Sequence, residues 1–374
     1  YARELTEDPA YPYCNCIVRD PVSYPWHDQG YHPPAFNDLI IYQFHVGTFY
    51  GPDREQRVAR FLDVLYQLEY LVDLGINAIE PLPVVEYASP RSLGYDGSDI
   101  FSPEMDYNID PPDLDPYLEK VNDLLARRNQ APLTFDQLAV PVKQLKTLID
   151  ICHVYGIAVI FDVVYNHAGY QIGGQEESIY FFDRAAGTNP NDSLYFTDKT
   201  HTGPVFAIWQ KDVRQFLIDN AGFFITEYHI DGIRYDQVSV LVSENANDGW
   251  RFCQDLTGTV RYVDPSAVQC AEYWSVDPWI TRSFAENGAG FDATWHDGHV
   301  NLDDIARNLY IPGFPGTWKA VNYVESHDEV YKGRALRIAA LSDYNNPRSW
   351  YARSRSRVAT GLILTAPGIP MLFM

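Results

Sequence analysis

Residues 142–167 read VKQLKTLIDICHVYGIAVIFDVVYNH. Val142 to Tyr155 carries apolar residues at helical spacing, and Gly156 follows as a C-terminal stop. Ala158 to Val164 is then a short β-branched apolar run, the pattern of a strand buried on both faces. The unit ends on polar chemistry, with Asp162 and His167 at its C-terminal end.

The same alternation extends in both directions from Leu39 to the last residue. Strands are expected at Leu39 to Val46, Ala78 to Val85, Ala158 to Val164, Ile230 to Tyr235, Val268 to Tyr273, Phe291 to Trp295, Ala320 to Glu325 and Ile369 to Phe373. Helical spacing recurs at Phe61 to Leu74, Val213 to Tyr228, Trp250 to Val263 and Ser354 to Leu364, and Gly75 stops the first of these. Strands alternating with helices predict a parallel sheet covered by helices. Eight of them predict a (β/α)8 TIM barrel, whose chemistry sits where the strand-to-helix loops converge. An open doubly wound sheet is the competing topology.

Two connections are long. Glu86 to Pro141, after the second strand, includes a short helix capped at Asp115-Pro116 and an insertion over residues 108–141. The insertion after the third strand, 168–211, is Gly-rich and polar without clear periodicity. Both belong over the catalytic face, or serve only to lid the barrel. Residues 1–37, rich in Pro, Tyr and Asp, read as a lead-in or linker from a preceding unit. The catalytic barrel is then residues 38–374, truncated after the eighth strand, with the final helix and a C-terminal domain expected outside this sequence.

Composition excludes several classes. With 28 Lys plus Arg against 50 Asp plus Glu, the net charge of -22 repels a phosphate backbone, so nucleic acid is not an expected partner. No apolar run reaches the roughly 18 residues of a membrane span and the N-terminus does not resemble a signal peptide, so a cytoplasmic chain without membrane partners is expected. Five cysteines are too sparse for a disulfide framework. Cys14 and Cys16 form a C-x-C pair with no second pair to complete a metal site. The aromatic fraction of 14% suits a neutral polyhydroxylated ligand, although ordinary core packing accounts for most of these rings.

Acidic, imidazole and guanidinium groups gather at the strand ends: Asp162 and His167 after the third, Arg234 and Asp236 after the fourth, Glu272 after the fifth, His327 and Asp328 after the seventh. Packing alone gives no reason for this. A pair of carboxyl groups at adjacent strand ends can cut a glycosidic bond, one attacking the anomeric carbon and one protonating the leaving oxygen. Arg234, two residues before Asp236, shares its strand face and can keep that carboxylate ionised. Taken singly, Asp162 also reads as a salt-bridge partner, His167 as a satisfied buried histidine and Tyr95 as a loop anchor.

Asp162-Val-Val-Tyr-Asn-His167, Gly232-Ile-Arg-Tyr-Asp236, Ala271-Glu-Tyr-Trp274 and Ser326-His-Asp328 resemble, in order, the four conserved regions of glycoside hydrolase family 13, the α-amylase family. The resemblance implies Asp236 as nucleophile, Glu272 as general acid/base and Asp328 as the carboxylate that holds substrate hydroxyls. It implies that His167 and His327 bind the sugar, with Asp162 orienting that network and Tyr95, in Leu93-Gly-Tyr-Asp-Gly97, as an aromatic platform. Asn166 matches a calcium ligand of many amylases, but no Asp-rich calcium loop follows, so no metal is expected; no cofactor is expected either, because both half-reactions are acid/base and nucleophilic steps.

His45-Val-Gly-Thr-Phe49 and Asp20-Pro-Val-Ser-Tyr-Pro-Trp26 look like the group with a β-sandwich ahead of the barrel, which includes branching, debranching and trehalose-releasing enzymes. Ser326-His-Asp-Glu-Val330 with Lys332-Gly333 is most similar to 1,4-α-glucan branching enzymes. Gln237, where a small residue usually follows the nucleophile, and the 108–141 insertion depart from that pattern. The partner implied is an α-glucan or malto-oligosaccharide. The alternatives are an amylase-type or trehalose-releasing hydrolase and, in another class, an inactive glucan-binding scaffold.

Overall fold

The computed structural model describes residues 15–20, 23–51, 58–87, 92–169, 193–199, 203–274, 277–295, 319–330 and 337–374, with only the backbone at 197–199 and 244–247. Within them eight parallel strands close into a barrel: β1 (Ile41–Phe44), β2 (Ala78–Pro81), β3 (Ala158–Val163), β4 (Gly232–Tyr235), β5 (Val268–Ala271), β6 (Ala293–Trp295), β7 (Ala320–Asn322) and β8 (Ile369–Phe373). Closure comes from β8 pairing with β1, Ile41 opposite Met371. The fold is the (β/α)8 barrel expected from the alternating pattern. Among the described residues no helix is long and apolar enough to cross a membrane.

Side chains two apart on a strand share a face, and in this barrel the inward face changes character along each strand. Ile41, Ala78, Ile160 and Cys270 belong to the apolar cluster inside the lower barrel. Two residues further on, the inward positions are Gln43, Glu80, Asp162 and Glu272, all buried. Gly232 is likewise followed by Arg234, which is 0% exposed. The sequence therefore builds an apolar plug below and a polar layer at the C-terminal mouth, where the strand-to-helix loops begin.

Helices α1 (Leu68–Asp73, continuing a 3-10 turn over Phe61–Gln67), α2 (Asp115–Arg127), α3 (Pro141–Val154), α4 (Lys211–Tyr228), α5 (Val238–Val263) and α6 (Trp350–Thr365) flank the barrel. Gly75 and Gly156 stop α1 and α3 in the left-handed region, at φ +84° and +78°. Several boundaries differ from those read in the sequence. β1 ends at Phe44 because Val46–Phe49 turns into a helix, and β2 ends at Pro81. Val85–Tyr87 instead starts a hairpin with Gly97–Pro103. α5 begins twelve residues before the expected Trp250, at Val238, and α2 is a full 13-residue helix starting on Asp115 without a side-chain cap. A four-residue helix, Phe135–Leu138, follows it under a Thr134/Gln137 capping box. In the second insertion Phe196–Lys199 pairs with Pro204–Phe206; most of 168–211, and the Lys332-Gly333 pair, lie outside the described residues.

The segment ahead of β1 packs onto the bottom of the barrel from Tyr24 onward. Tyr24 Oη and the His27 backbone N–H both donate to Asp150 on α3, at 3.0 and 2.7 Å. Asp28 meets His229 Nδ1 at 2.6 Å and lies 3.7 Å from His153, while Asp231 holds the other nitrogen of His153 at 2.9 Å. Trp26 stacks on His229 and Tyr31 on His153. Burial alone would depress the His153 imidazole, but Asp231 and Asp28 outweigh it and lift the group from 6.5 to about 9. A raised histidine stabilises the fold fully below its unfolded value and loses that contribution as pH climbs through the folded one. Unfolding free energy should therefore fall between about pH 6.5 and 9, and Asp28→Asn should flatten that slope in urea titrations across the window.

Candidate active site

Arg234 is the centre of the site. Its side chain is 0% exposed, and a buried guanidinium persists only where carboxylates meet it. Nη1 donates to Asp162 Oδ1 at 2.7 Å and to Asp236 Oδ1 at 3.0 Å, and Nη2 forms an ion pair with Glu272 Oε2 at 2.8 Å. One cation thus gathers carboxylates from the ends of β3, β4 and β5, and the ring of Trp295 on β6 lies 4.3 Å from its central carbon.

A single positive charge cannot neutralise three carboxylates in a dry site, so the cluster holds protons at neutral pH. Burial drives the Glu272 carboxyl well above the usual range; the Arg234 charge opposes this and the Asp236 charge adds to it. Burial also lifts Asp162 to about 8, against Arg234, with Asp236 and Glu80 contributing.

The backbone locks the pair formed by Asp236 and Glu272. The Glu272 N–H donates to Tyr235 O at 2.9 Å, and the Gln237 N–H returns to Glu272 Oε2 at 2.8 Å. Gln237 takes φ +41°, a left-handed conformation that costs a non-glycine residue of order 1 kcal/mol and is sustained where the surroundings impose it. The departure noted at this position in the sequence is therefore a turn that aims an N–H at Glu272. Asn166 steadies the other carboxylate, its Nδ2 donating to both Asp236 O and Asp236 Oδ2 at 2.9 Å.

Tyr95 connects the two sides of the mouth. Its hydroxyl donates to Asp162 Oδ2 at 2.5 Å, its carbonyl accepts from His167 Nε2 at 2.9 Å, and its ring stacks on His327 with centroids 5.0 Å apart and planes 13° from parallel. The loop carrying it turns at Gly94, where φ is +93° and a Cβ would sit 2.5 Å from the Pro83 carbonyl oxygen. His167 Nδ1 contacts Asn166 Oδ1. His327 is held by Gln43, and Asp328 Oδ2 lies 3.6 Å from its Nε2 with the Asp328 side chain 38% exposed at the rim.

The structure therefore brings Tyr95, Asp162, His167, Arg234, Asp236, Glu272, His327 and Asp328 to one end of the barrel. It adds four residues that the sequence reading left without a place in the site: Gln43 and Glu80 from β1 and β2, Trp295 from β6, and Asn166 in contact with Asp236. The signal for the first two was present, since each is the inward polar residue two positions beyond an apolar one on its strand.

No family model matches the chain. It is 24% identical to malto-oligosyltrehalose trehalohydrolase of Saccharolobus solfataricus, over 93% of this chain and 58% of that protein. It is 27% identical to the 1,4-α-glucan branching enzyme of Geobacillus stearothermophilus, over 97% of this chain and 54% of that one. The chain thus spans a little over half the length of these two relatives. Among solved structures, pullulanase from Paenibacillus barengoltzii, in complex with maltohexaose and α-cyclodextrin, superposes with a TM-score of 0.67 at 22% identity, over 96% of this chain and 60% of that one. The α-amylase of Geobacillus thermoleovorans in complex with acarbose gives 0.62 at 20%, over 91% and 71%. The resemblance to glycoside hydrolase family 13 read from the four motifs is matched along almost the whole chain.

Proposed function

We propose that this chain, similar to glycoside hydrolase family 13 over nearly all its length, is the catalytic barrel of an enzyme that cuts α-glucosidic bonds with retention. The observation that carries the reading is the convergence of Asp236 and Glu272 on the two amino nitrogens of a fully buried Arg234. A carboxyl group that burial keeps protonated, set beside a second carboxyl on the same guanidinium, is what acid-assisted nucleophilic displacement requires.

In the first half-reaction an Asp236 oxygen attacks the anomeric carbon while Glu272 gives its proton to the departing glycosidic oxygen, leaving a glycosyl ester on Asp236. In the second, Glu272 takes the proton of an incoming hydroxyl as that oxygen displaces Asp236 and frees the carboxylate. Asp162 and Tyr95 hold Arg234 and the histidines in place, and His167, His327 and Asp328 meet sugar hydroxyls. Neither step needs a cofactor.

Because Glu272 must be protonated to act first, and burial holds its proton well above the usual carboxylate range, activity should persist through neutral pH and fall as pH climbs past its pKa. A profile of kcat/KM against pH should show that alkaline limb, and Glu272→Gln should abolish it.

Within this class the Ser326 to Val330 motif favours a 1,4-α-glucan branching enzyme acting on linear glucan in the cytoplasm, with the 6-hydroxyl of another chain as the incoming group. The second reading, a hydrolase in which water takes that place, is supported by the likeness to trehalohydrolases, which is of the same order as the likeness to branching enzymes. Incubating the full-length protein with amylose and following reducing ends and α-1,6 linkages by proton NMR separates them. New 1,6 linkages without a matching rise in reducing ends are expected; reducing ends rising alone would make the enzyme a hydrolase.

A further inference from the structure

Gln43 and Glu80 are register partners on β1 and β2, so both side chains enter the barrel on the same face, beneath the catalytic cluster. Gln43 Nε2 donates to Glu80 Oε1 at 2.9 Å. The amide oxygen of Gln43 faces His327 twice, 3.4 Å from its backbone N–H and 3.2 Å from its Nδ1. Both neighbours orient the amide the same way. The His327 backbone N–H can meet only the oxygen end, which leaves the NH2 end for the Glu80 carboxyl oxygen.

That orientation fixes the imidazole in turn. An amide oxygen is an acceptor, so the Nδ1 beside it must carry a proton. Burial, together with the Arg234 charge, holds His327 neutral, so it has one proton to place. The Tyr95 ring stacked on one face, with Trp295 5.9 Å away, restrains the ring from turning over. The Nε2 atom is left with its lone pair, and Asp328 Oδ2, 3.6 Å away, lies beyond hydrogen-bond distance of it.

We infer that Gln43 and Glu80 are positioning residues that hold His327 as the Nδ1–H tautomer, so that its Nε2 accepts a hydrogen bond from a substrate hydroxyl instead of donating one. The inference rests on the reading of His327 as a sugar-binding residue. It has a specificity consequence: the hydroxyl at that point must be a donor, so a group of similar size that only accepts is rejected.

Nitrogen-15 NMR of the full-length protein labelled at histidine, with the His327 signals assigned by their loss in His327→Asn, reads the tautomer directly. A protonated Nδ1 and a bare Nε2 are expected in the absence of sugar. Gln43→Met, which keeps the bulk and removes the acceptor, is expected to move the proton toward Nε2 and to raise KM for maltohexaose about tenfold with a smaller change in kcat. Among maltosides altered at one hydroxyl, the fluoro analogue at the position His327 senses should bind no better than the deoxy analogue, since fluorine cannot donate. A wild-type Nε2–H tautomer would overturn the inference whatever the fate of the Met variant, and so would rescue of binding by fluorine. Absence of any glucan turnover would sink the functional reading while leaving the NMR result to decide the tautomer.

Discussion

Asp236→Ala is expected to lower kcat on amylose by at least about 10⁴-fold while substrate binding is retained, because it deletes the atom that forms the covalent bond and leaves the sugar contacts in place. Arg234 keeps Asp162 and Glu272 as partners in that variant, so the buried cation is still compensated and the barrel should fold. Glu272→Gln should cost about 10²- to 10⁴-fold, the usual span for a general acid. The two losses differ in kind. An α-maltosyl fluoride has a leaving group that needs little protonation, so it should restore glycosylation in the Glu272 variant and not in the Asp236 variant. Azide should then give an α-glycosyl azide with Glu272→Gln and a β-glycosyl azide with Asp236→Ala, since in the latter it attacks from the face that Asp236 vacates. Substantial amylose turnover by either variant, or identical responses to fluoride and azide, would contradict the assignment of roles.

Arg234→Met should be the most destabilising single substitution in the site. Removing one member of a buried ionic cluster costs about 3–5 kcal/mol, because the partners are left charged and dry. Here three carboxyl groups would be stranded. Glu272 and Asp162 would respond by holding their protons more tightly still than they do in the native protein. A carboxyl whose folded pKa is raised destabilises the fold as pH rises above its unfolded value, about 4. The urea midpoint of the variant should therefore lie well below that of the native protein at neutral pH and converge toward it near pH 4. Arg234→Lys should recover part of the stability and little of the activity, because an ammonium cannot present two nitrogens in the fixed fork that spaces Asp236 from Glu272. A midpoint that does not depend on pH would mean the carboxylates are compensated by something other than this guanidinium.

How much of this was legible in the sequence depends on the length scale of the signal. Most of the barrel strands are legible because they are short apolar runs rich in β-branched residues and flanked by an amphipathic helix or a glycine stop, as at Tyr155-Gly156-Ile157. The motif residues were found because they lie at the C-terminal ends of those runs. What the sequence did not yield depends on register or on contacts between distant segments. Glu86 to Tyr87 and Gly97 to Pro103 look like loop and Val85 like the end of the second strand, since paired strands of three and seven residues have too few alternations to stand out. Gln43 and Glu80 become neighbours only once β1 and β2 are set in register. The docking of residues 24–31 under the barrel depends on Asp150, His153, Asp231 and His229, more than a hundred residues away.

The central claim is that a glycosyl group is carried on Asp236. A 5-fluoro-α-glycosyl fluoride slows formation and breakdown of such an intermediate through its electron-withdrawing ring substituent, while its leaving group keeps the first step accessible. Mass spectrometry of a digest of the full-length protein after brief exposure should show one glycosyl adduct, on the peptide containing Asp236, and none in the Asp236→Ala protein. Turnover of the probe with no adduct, or an adduct on any other residue, would contradict the account.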